Sequence, residues 1–172
     1  MTNNDQVVQL ARKTIEVYVK SGERIEPPKD LSEVMKVQRG VFVSIKKNGN
    51  LRGCIGTTSP TQENVAQEII RNAISACSQD PRFQPVEPEE LDKLDISVDI
   101  LGEKEPVSSM EELDPEKYGV IVKKGSRTGL LLPDLEGIDS VKKQVNIAKK
   151  KAGIPPGESK VDLYRFEVHR YK

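Results

Sequence analysis

The sequence contains two predicted β-hairpins, at residues 41–56 and 119–132, and each is followed by a helical pattern and an alternating strand pattern. The first hairpin turns at Asn48-Gly49, a dipeptide typical of two-residue turns. The second turns around Lys124-Gly125-Ser126. Because hairpins pair antiparallel strands and the helices lie in separate segments, this order favours an antiparallel α+β fold over a doubly wound parallel sheet.

Apolar residues that recur at helical spacing predict three helices, at residues 5–20, 61–78 and 140–152. The second helix is expected to start from Ser59-Pro60-Thr61-Gln62, which has the form of a capping box with proline at the first helical position. The third is expected to end at Gly153. Alternating apolar residues predict two further strands, at residues 96–100 and 161–169.

The two hairpins also resemble each other in sequence. Gly40-Val41-Phe42-Val43 matches Gly119-Val120-Ile121-Val122, and Gly53 corresponds to Gly129. Either the two halves form an internal repeat, or two hairpins share turn chemistry by chance. We expect a single domain over residues 1–172, with one lobe around residues 1–101 plus the C-terminal strand, a second at 102–160, and a groove between them.

The charges balance, with 27 basic and 27 acidic side chains, which argues against a general nucleic-acid binder. They are unevenly placed, however: residues 80–117 hold 13 acidic and 4 basic side chains, whereas residues 142–172 hold 9 basic and 3 acidic ones. These segments are either solvated faces or surfaces that dock on each other or on a partner. The basic segment leaves weak, salt-dependent nucleic-acid binding as a third function to consider.

We expect a soluble, cytoplasmic protein without a bound metal. No stretch approaches the ~18 apolar residues that a membrane-spanning helix requires, and the polar start lacks the apolar core of a signal peptide. Two cysteines, Cys54 and Cys77, suit a reducing compartment. With one histidine, His169, and no Cys-x-x-Cys or His-Glu-x-x-His spacing, the sequence predicts neither a metal site nor a cofactor.

Cys54 is the candidate for chemistry in the first hairpin. Pairing through the Asn48-Gly49 turn predicts that Cys54 lies opposite Val43 and shares a sheet face with Arg52. Cys54 is then either a small core residue packed on Val43 or an accessible thiol. Arg52 and the N-terminus of the following helix would favour the thiolate, whereas burial would oppose it.

Leu51-Arg52-Gly53-Cys54-Ile55-Gly56 resembles the hexapeptide signature of the AMMECR domain family. Three further stretches agree with that family in order: Asp80-Pro81-Arg82-Phe83, Gly129-Leu130-Leu131-Leu132-Pro133 and Lys151-Ala152-Gly153. The resemblance spans residues 5–170, nearly the whole chain.

The resemblance implies an α+β fold with two lobes and the hexapeptide near their groove. It also implies a functional cluster in and around the hexapeptide, consisting of Arg52, Gly53 and Cys54, with Asp80, Arg82 and Phe83 as neighbours. Family members that occur beside, or fused to, MEMO-family proteins and radical SAM enzymes suggest these as partners. No established activity comes with the family.

Two principal functions therefore stay open at this stage. The chain is an enzyme or enzyme subunit with Cys54 and Arg52 as catalytic residues and Gly53, Asp80, Arg82 and Phe83 as binding residues. Alternatively, it is a non-catalytic binding or scaffold protein whose groove accepts a partner.

Overall fold

The predicted hairpins each form one edge of an antiparallel sheet in the computed structural model, which describes residues 3–172. The strands are β1 (Val41–Lys47), β2 (Asn50–Gly56), β3 (Leu94–Leu101), β4 (Glu105–Val107), β5 (Gly119–Lys124), β6 (Arg127–Leu131), β7 (Asp162–Phe166) and β8 (Val168–Tyr171). The helices are α1 (Asn3–Ser21), α2 (Glu33–Lys36), α3 (Val65–Ser78) and α4 (Val141–Ala152). The predicted α+β class is confirmed.

The two sheets have matching strand orders, β2-β1-β3-β8 and β6-β5-β7-β4. In both, a hairpin is followed by a helix and then by a strand that pairs with the first strand of the hairpin. The fourth strand of each sheet lies outside this hairpin–helix–strand segment. This shared topology favours an internal repeat over a chance likeness between two hairpins.

By its contacts the chain divides into two units, one of Met1–Ile100 with His169–Lys172, and one of Leu101–Val168. The core of the first unit lies between its sheet and the helices α1 and α3. The core of the second lies where α4 packs on β5 and β6. The predicted lobe boundaries and the groove between lobes stay predictions.

A β-bulge changes the register of the first hairpin. Lys46 lies opposite Leu51 and Ile45 opposite Gly53, so Arg52 is an extra residue in β2. Cys54 consequently lies opposite Ser44, not Val43. The predicted pairing of Cys54 with Val43 is wrong, because counting from the two-residue turn takes no account of an inserted residue.

The helix after this hairpin starts later than the sequence predicts. Its N-cap is Asn64, whose side chain accepts a hydrogen bond from the N–H of Gln67 at 2.9 Å. The expected start at residue 61 with Ser59 as the cap is therefore wrong. The other two predicted helices agree with α1 and α4 within two residues at each end.

None of the helices among residues 3–172 is long and apolar enough to cross a membrane.

Candidate functional site

Cys54 lies in β2, the edge strand of the first sheet. Cys54 is partly exposed, and its Sγ atom is 3.2 Å from the hydroxyl oxygen of Ser44 on the neighbouring strand β1. The bulge at Arg52 creates this pairing, because it moves the thiol onto the sheet face that carries Ser44. A neutral hydroxyl is thus the immediate side-chain partner of the thiol.

The loop after α3 covers the free edge of β2 at Cys54. The buried carboxylate of Asp80 accepts a hydrogen bond from the backbone N–H of Cys54 at 2.9 Å. The Nη2 group of Arg82 donates to the backbone carbonyl of Cys54 at 3.2 Å. Both polar groups that an edge strand would leave open are therefore satisfied by one side-chain pair.

Asp80 and Arg82 form a tight ion pair with each other. The Nε and Nη2 groups of Arg82 donate to the two carboxylate oxygens at 3.0 and 2.8 Å. These bonds hold the pKa of Asp80 far below its usual range, although burial acts in the opposite direction. The same bonds raise the pKa of Arg82, with a smaller contribution from the nearby Cys54 thiol. The pair is charged at neutral pH, and its guanidinium group is the cation beside Cys54.

Arg52 has a different set of partners. It donates to both carboxylate oxygens of Glu90 at 3.0 and 2.9 Å, and to the carbonyls of Gln84 and Pro85 at 2.8 and 3.2 Å. All three guanidinium nitrogens are engaged, and the side chain is only 17% exposed. Arg52 therefore ties β2 to the segment at residues 84–90.

Glu90 completes this tie as its acceptor. Its carboxylate also accepts a hydrogen bond from Lys47 at 2.8 Å. The bonds from Arg52, and secondarily that from Lys47, lower the pKa of Glu90 to about 2 despite its burial. Glu90 is thus a charged anchor.

The remaining residues of the predicted cluster have packing roles. The guanidinium carbon of Arg82 lies 5.5 Å from the centre of the Phe83 ring. Gly53 lies against α3, where a Cβ atom would overlap the carbonyl oxygen of Ala76. In the second repeat, Gly129 lies in the same way against the carbonyl of Ala148 in α4. The structure thus brings Cys54, Asp80, Arg82 and Phe83 together, and it assigns Arg52 to the neighbouring tie.

Sequence reasoning missed Ser44 and Glu90. Ser44 interrupts an otherwise apolar run at residues 41–45, which was the available signal for a polar contact on one face of β1. Glu90 belongs to a capping box with Glu87 at the start of the short 3₁₀ helix Pro88–Lys93. Its pairing with Arg52, 38 residues earlier, has no local signal.

The backbone N–H groups of Thr61 and Gln62, which precede α3, are bonded to an internal carboxylate. Glu68 is fully buried, and its carboxylate accepts the backbone N–H groups of Thr61 and Gln62, both at 2.8 Å. The hydroxyls of Thr57 and Thr61 also donate to it, both at 2.7 Å. Burial would raise the pKa of Glu68, but these hydrogen bonds together outweigh it and lower the pKa. The donors in front of α3 are thus satisfied by a side chain of the helix itself.

The second cysteine and the histidine lie elsewhere. Cys77 is 2% exposed in the core, and burial raises the pKa of its thiol to about 11. His169 lies on β8 and is exposed. Within residues 3–172, no group of three His, Cys, Asp or Glu side chains is arranged to hold a metal ion.

Residues 8–171 match the model of the AMMECR1 family. The chain belongs to this family. The hexapeptide and Asp80-Pro81-Arg82-Phe83, which suggested the family, are thus joined by hydrogen bonds in an AMMECR1-family structure.

Relatives of this AMMECR1-family chain occur in bacteria and archaea. A protein of Thermotoga maritima is 53% identical over 174 residues, which cover the whole of both chains. A protein of Clostridium acetobutylicum is 50% identical over 98% of this chain, but the match covers only 36% of that longer protein. An uncharacterized protein from Pyrococcus horikoshii has a crystal structure with a TM-score of 0.88 and 33% identity, covering 98% of this chain and 90% of that chain.

Proposed function

We propose that this AMMECR1-family chain is a non-catalytic binding subunit, and that its partner contacts the hexapeptide surface, defined as Leu51, Cys54 and Ser44. Leu51 is 42% exposed and Cys54 is partly exposed, whereas the charged group of the hexapeptide, Arg52, is held by Glu90 and two backbone carbonyls. The accessible part of the hexapeptide is therefore apolar. This observation carries the proposal, because an accessible apolar surface favours contact with another protein.

The carboxylates near the hexapeptide are poor candidates for acid–base chemistry. A general base works best when its pKa lies near the operating pH. Hydrogen bonds donated by Arg82 and Arg52 lower the pKa values of Asp80 and Glu90 below those of ordinary carboxyl groups, and so further from neutrality. Both carboxylates also accept hydrogen bonds from residues of β2, Asp80 from the backbone of Cys54 and Glu90 from the side chain of Arg52. Their role is therefore structural.

The partner classes follow from the family resemblance, which points to MEMO-family and radical SAM proteins. The Clostridium acetobutylicum relative supports a role beside other protein segments, since this chain matches only 36% of its length. We propose that the contacting segment of the partner presents an apolar side chain to Leu51.

One observation favours a second candidate function, an enzyme subunit that uses the Cys54 thiol as a nucleophile. The guanidinium group of Arg82 donates a hydrogen bond to the carbonyl of the partly exposed Cys54, so a cation lies beside an accessible cysteine. In this alternative Arg82 takes the role that the sequence assigned to Arg52.

Calorimetric titration with a purified MEMO-family protein and a purified radical SAM protein from the same organism tests the proposal. We expect Leu51→Asp to weaken binding by about tenfold or more, since a carboxylate would be buried in the contact. Val37→Asp is the matched control, because Val37 is also 42% exposed, and it should leave the affinity unchanged. Cys54→Ser should change the affinity by less than about threefold, since it alters a single atom.

Three outcomes would count against this proposal. Equal affinities for Leu51→Asp and Val37→Asp would remove the hexapeptide surface from the contact. Absence of binding to both partners would remove these partner classes. A turnover that Cys54→Ser abolishes and Cys77→Ser retains would establish the enzymatic alternative.

A further inference from the structure

The outer face of α4 and the loop that follows it form a groove of about 710 Å³, here called the α4 groove. Its lining includes Lys142, Lys143, Ile147, Lys150, Ile154 and Pro155. All of these residues belong to the second unit, and none belongs to the hexapeptide surface. The inference below therefore does not rest on the proposed function.

The second repeat leaves this face of its helix uncovered. In the first unit, α3 packs on the sheet and also against α1, so that both Asn72 on one side and Ile70 on the other are fully buried. In the second unit, where residues 101–168 are all described, α4 is the only α-helix, and it packs mainly on β5 and β6. Ala76 and Ala148 correspond, because their carbonyls contact Gly53 and Gly129 in the same way. Six residues before them lie the buried Ile70 in α3 and the exposed Lys142 in α4.

The floor of the α4 groove is held in place by a buried lysine. Lys149 is 8% exposed and lies on the inner side of α4. Its ammonium group donates to the carbonyls of Pro156 and Glu158 at 3.1 and 2.8 Å. These bonds anchor the loop that carries Ile154 and Pro155, so the apolar floor is formed before anything binds.

The rim of the α4 groove is positively charged and unpaired. Among residues 3–172, the ammonium groups of Lys142, Lys143 and Lys150 form no ion pair. No Asp or Glu lines the groove. The three charges are thus available to carboxylates, while the half-buried Ile147 and the exposed Pro155 below them leave apolar surface open to a partner.

We propose that the α4 groove binds an acidic, amphipathic helical segment of a partner protein. Apolar side chains of that segment contact the floor at Ile147 and Pro155, and its carboxylates pair with the lysines of the rim. A nucleic acid fits less well, because it binds through phosphates and stacked bases, and the lining contains no aromatic side chain. A second copy of this chain is the other occupant that the test must distinguish.

Fluorescence anisotropy tests this proposal. The probe is a labelled amphipathic helical peptide of glutamate and leucine, and the titration is repeated at increasing salt concentrations. We expect micromolar binding that weakens with salt, since the rim contacts are exposed ion pairs. Lys142→Glu with Lys150→Glu should weaken binding by about tenfold or more, because it reverses two rim charges. Lys20→Glu with Lys29→Glu is the matched control, since both lysines are exposed outside the groove and the net charge is the same.

Two further probes separate the alternatives. A peptide in which serine replaces every leucine should bind about tenfold more weakly or worse, because it cannot fill the apolar floor. If that peptide bound as tightly as the leucine-containing one, charge alone would account for the binding, and the proposal would be overturned. Binding of a single-stranded oligonucleotide that exceeds that of the peptide and is lost in the groove variant would assign the groove to nucleic acid.

Sedimentation of the free chain completes the test. We expect a species whose mass does not change in the Lys142→Glu, Lys150→Glu variant. A dimer that this variant dissociates, and the Lys20→Glu, Lys29→Glu control retains, would assign the groove to a second copy and overturn the proposal. Failure of the acidic peptide to bind at all would also overturn it, and neither result bears on the Leu51 titration.

Discussion

The carboxylate of Asp80 accepts the backbone N–H of Cys54 at 2.9 Å, across 26 residues of sequence. Arg82 donates to the carbonyl of the same Cys54 residue and to the same carboxylate. The hexapeptide and Asp80-Pro81-Arg82-Phe83 thus form one hydrogen-bonded unit at the edge of the first sheet. Their joint presence in the sequence has a structural cause in addition to any functional one.

Replacement of the buried carboxylate should weaken the fold. In Asp80→Asn, one acceptor oxygen becomes an NH₂ group that faces donors from Arg82 or Cys54. We expect a loss of about 1.5–3 kcal/mol in the free energy of unfolding, the usual range for hydrogen bonds to charged groups. Urea denaturation measures it, with the exposed Asp92→Asn as the control. Equal stabilities of the two variants would show that the Asp80 contacts do not stabilise the fold.

Acid should destabilise the chain through Asp80 and Glu90. Both carboxyls have a lower pKa in the folded chain, about 2 for Glu90, than the ~4 expected when unfolded. A lowered pKa contributes stability that is present above the unfolded value and is lost as pH falls towards the folded value. Urea unfolding should therefore give a constant stability between about pH 7 and 5, and a falling one below about pH 4.

The double variant Asp80→Asn, Glu90→Gln provides the control for this acid effect. Its stability at neutral pH should be lower, but it should fall less steeply below about pH 4, because two of the responsible carboxyls are gone. A slope identical to that of the wild type would assign the acid sensitivity to other carboxyls, of which Glu68 also has a lowered pKa.

The two glycines that contact helix backbones should not tolerate a methyl group. A Cβ atom at Gly53 or Gly129 would overlap a carbonyl oxygen of α3 or α4, so the helix would have to move away from the sheet. We expect Gly53→Ala and Gly129→Ala each to cost about 1–3 kcal/mol, as overpacked cores do. Gly157→Ala, where a Cβ atom meets nothing within 4 Å, is the control. Thermal unfolding of the three variants measures this cost. If only one of Gly53→Ala and Gly129→Ala were destabilised, the close contact between glycine and helix would not have the same role in both sheets.

The two thiols should differ in reactivity. Cys77 is 2% exposed with a pKa raised to about 11, so at about pH 8 it presents little thiolate and no access. Cys54 is partly exposed. Mass spectrometry after alkylation of the folded protein by iodoacetamide should show Cys54 reacting at least about tenfold faster. Equal rates in the native protein would mean that the Cys54 thiol is as inaccessible as the core one.

The turn at Asn48-Gly49, the stripes of the three long helices and the family signature could all be read from the sequence. Each depends on neighbours within a few positions. Asn48 and Gly49 adopt the positive φ angles of 52° and 79° that such a turn requires, and Gly153 ends α4 in the left-handed region. Local stereochemistry determines these features, so the fold class followed from them.

The register of β2 and the partner of Arg52 were decided only by the tertiary structure. The bulge at Arg52 moves Cys54 from the sheet face of Val43 to that of Ser44. The side chain of Arg52 itself donates a hydrogen bond to Glu90, which lies 38 residues later in the chain. Likewise, Glu68 binds the N–H groups of Thr61 and Gln62, and α3 begins only at Val65. Hydrogen bonds between distant segments outweigh a local preference of about 1 kcal/mol for one strand pairing or one helix start. A sequence pattern therefore identified Cys54 and Arg52 as neighbours, but long-range contacts determined which groups each one faces.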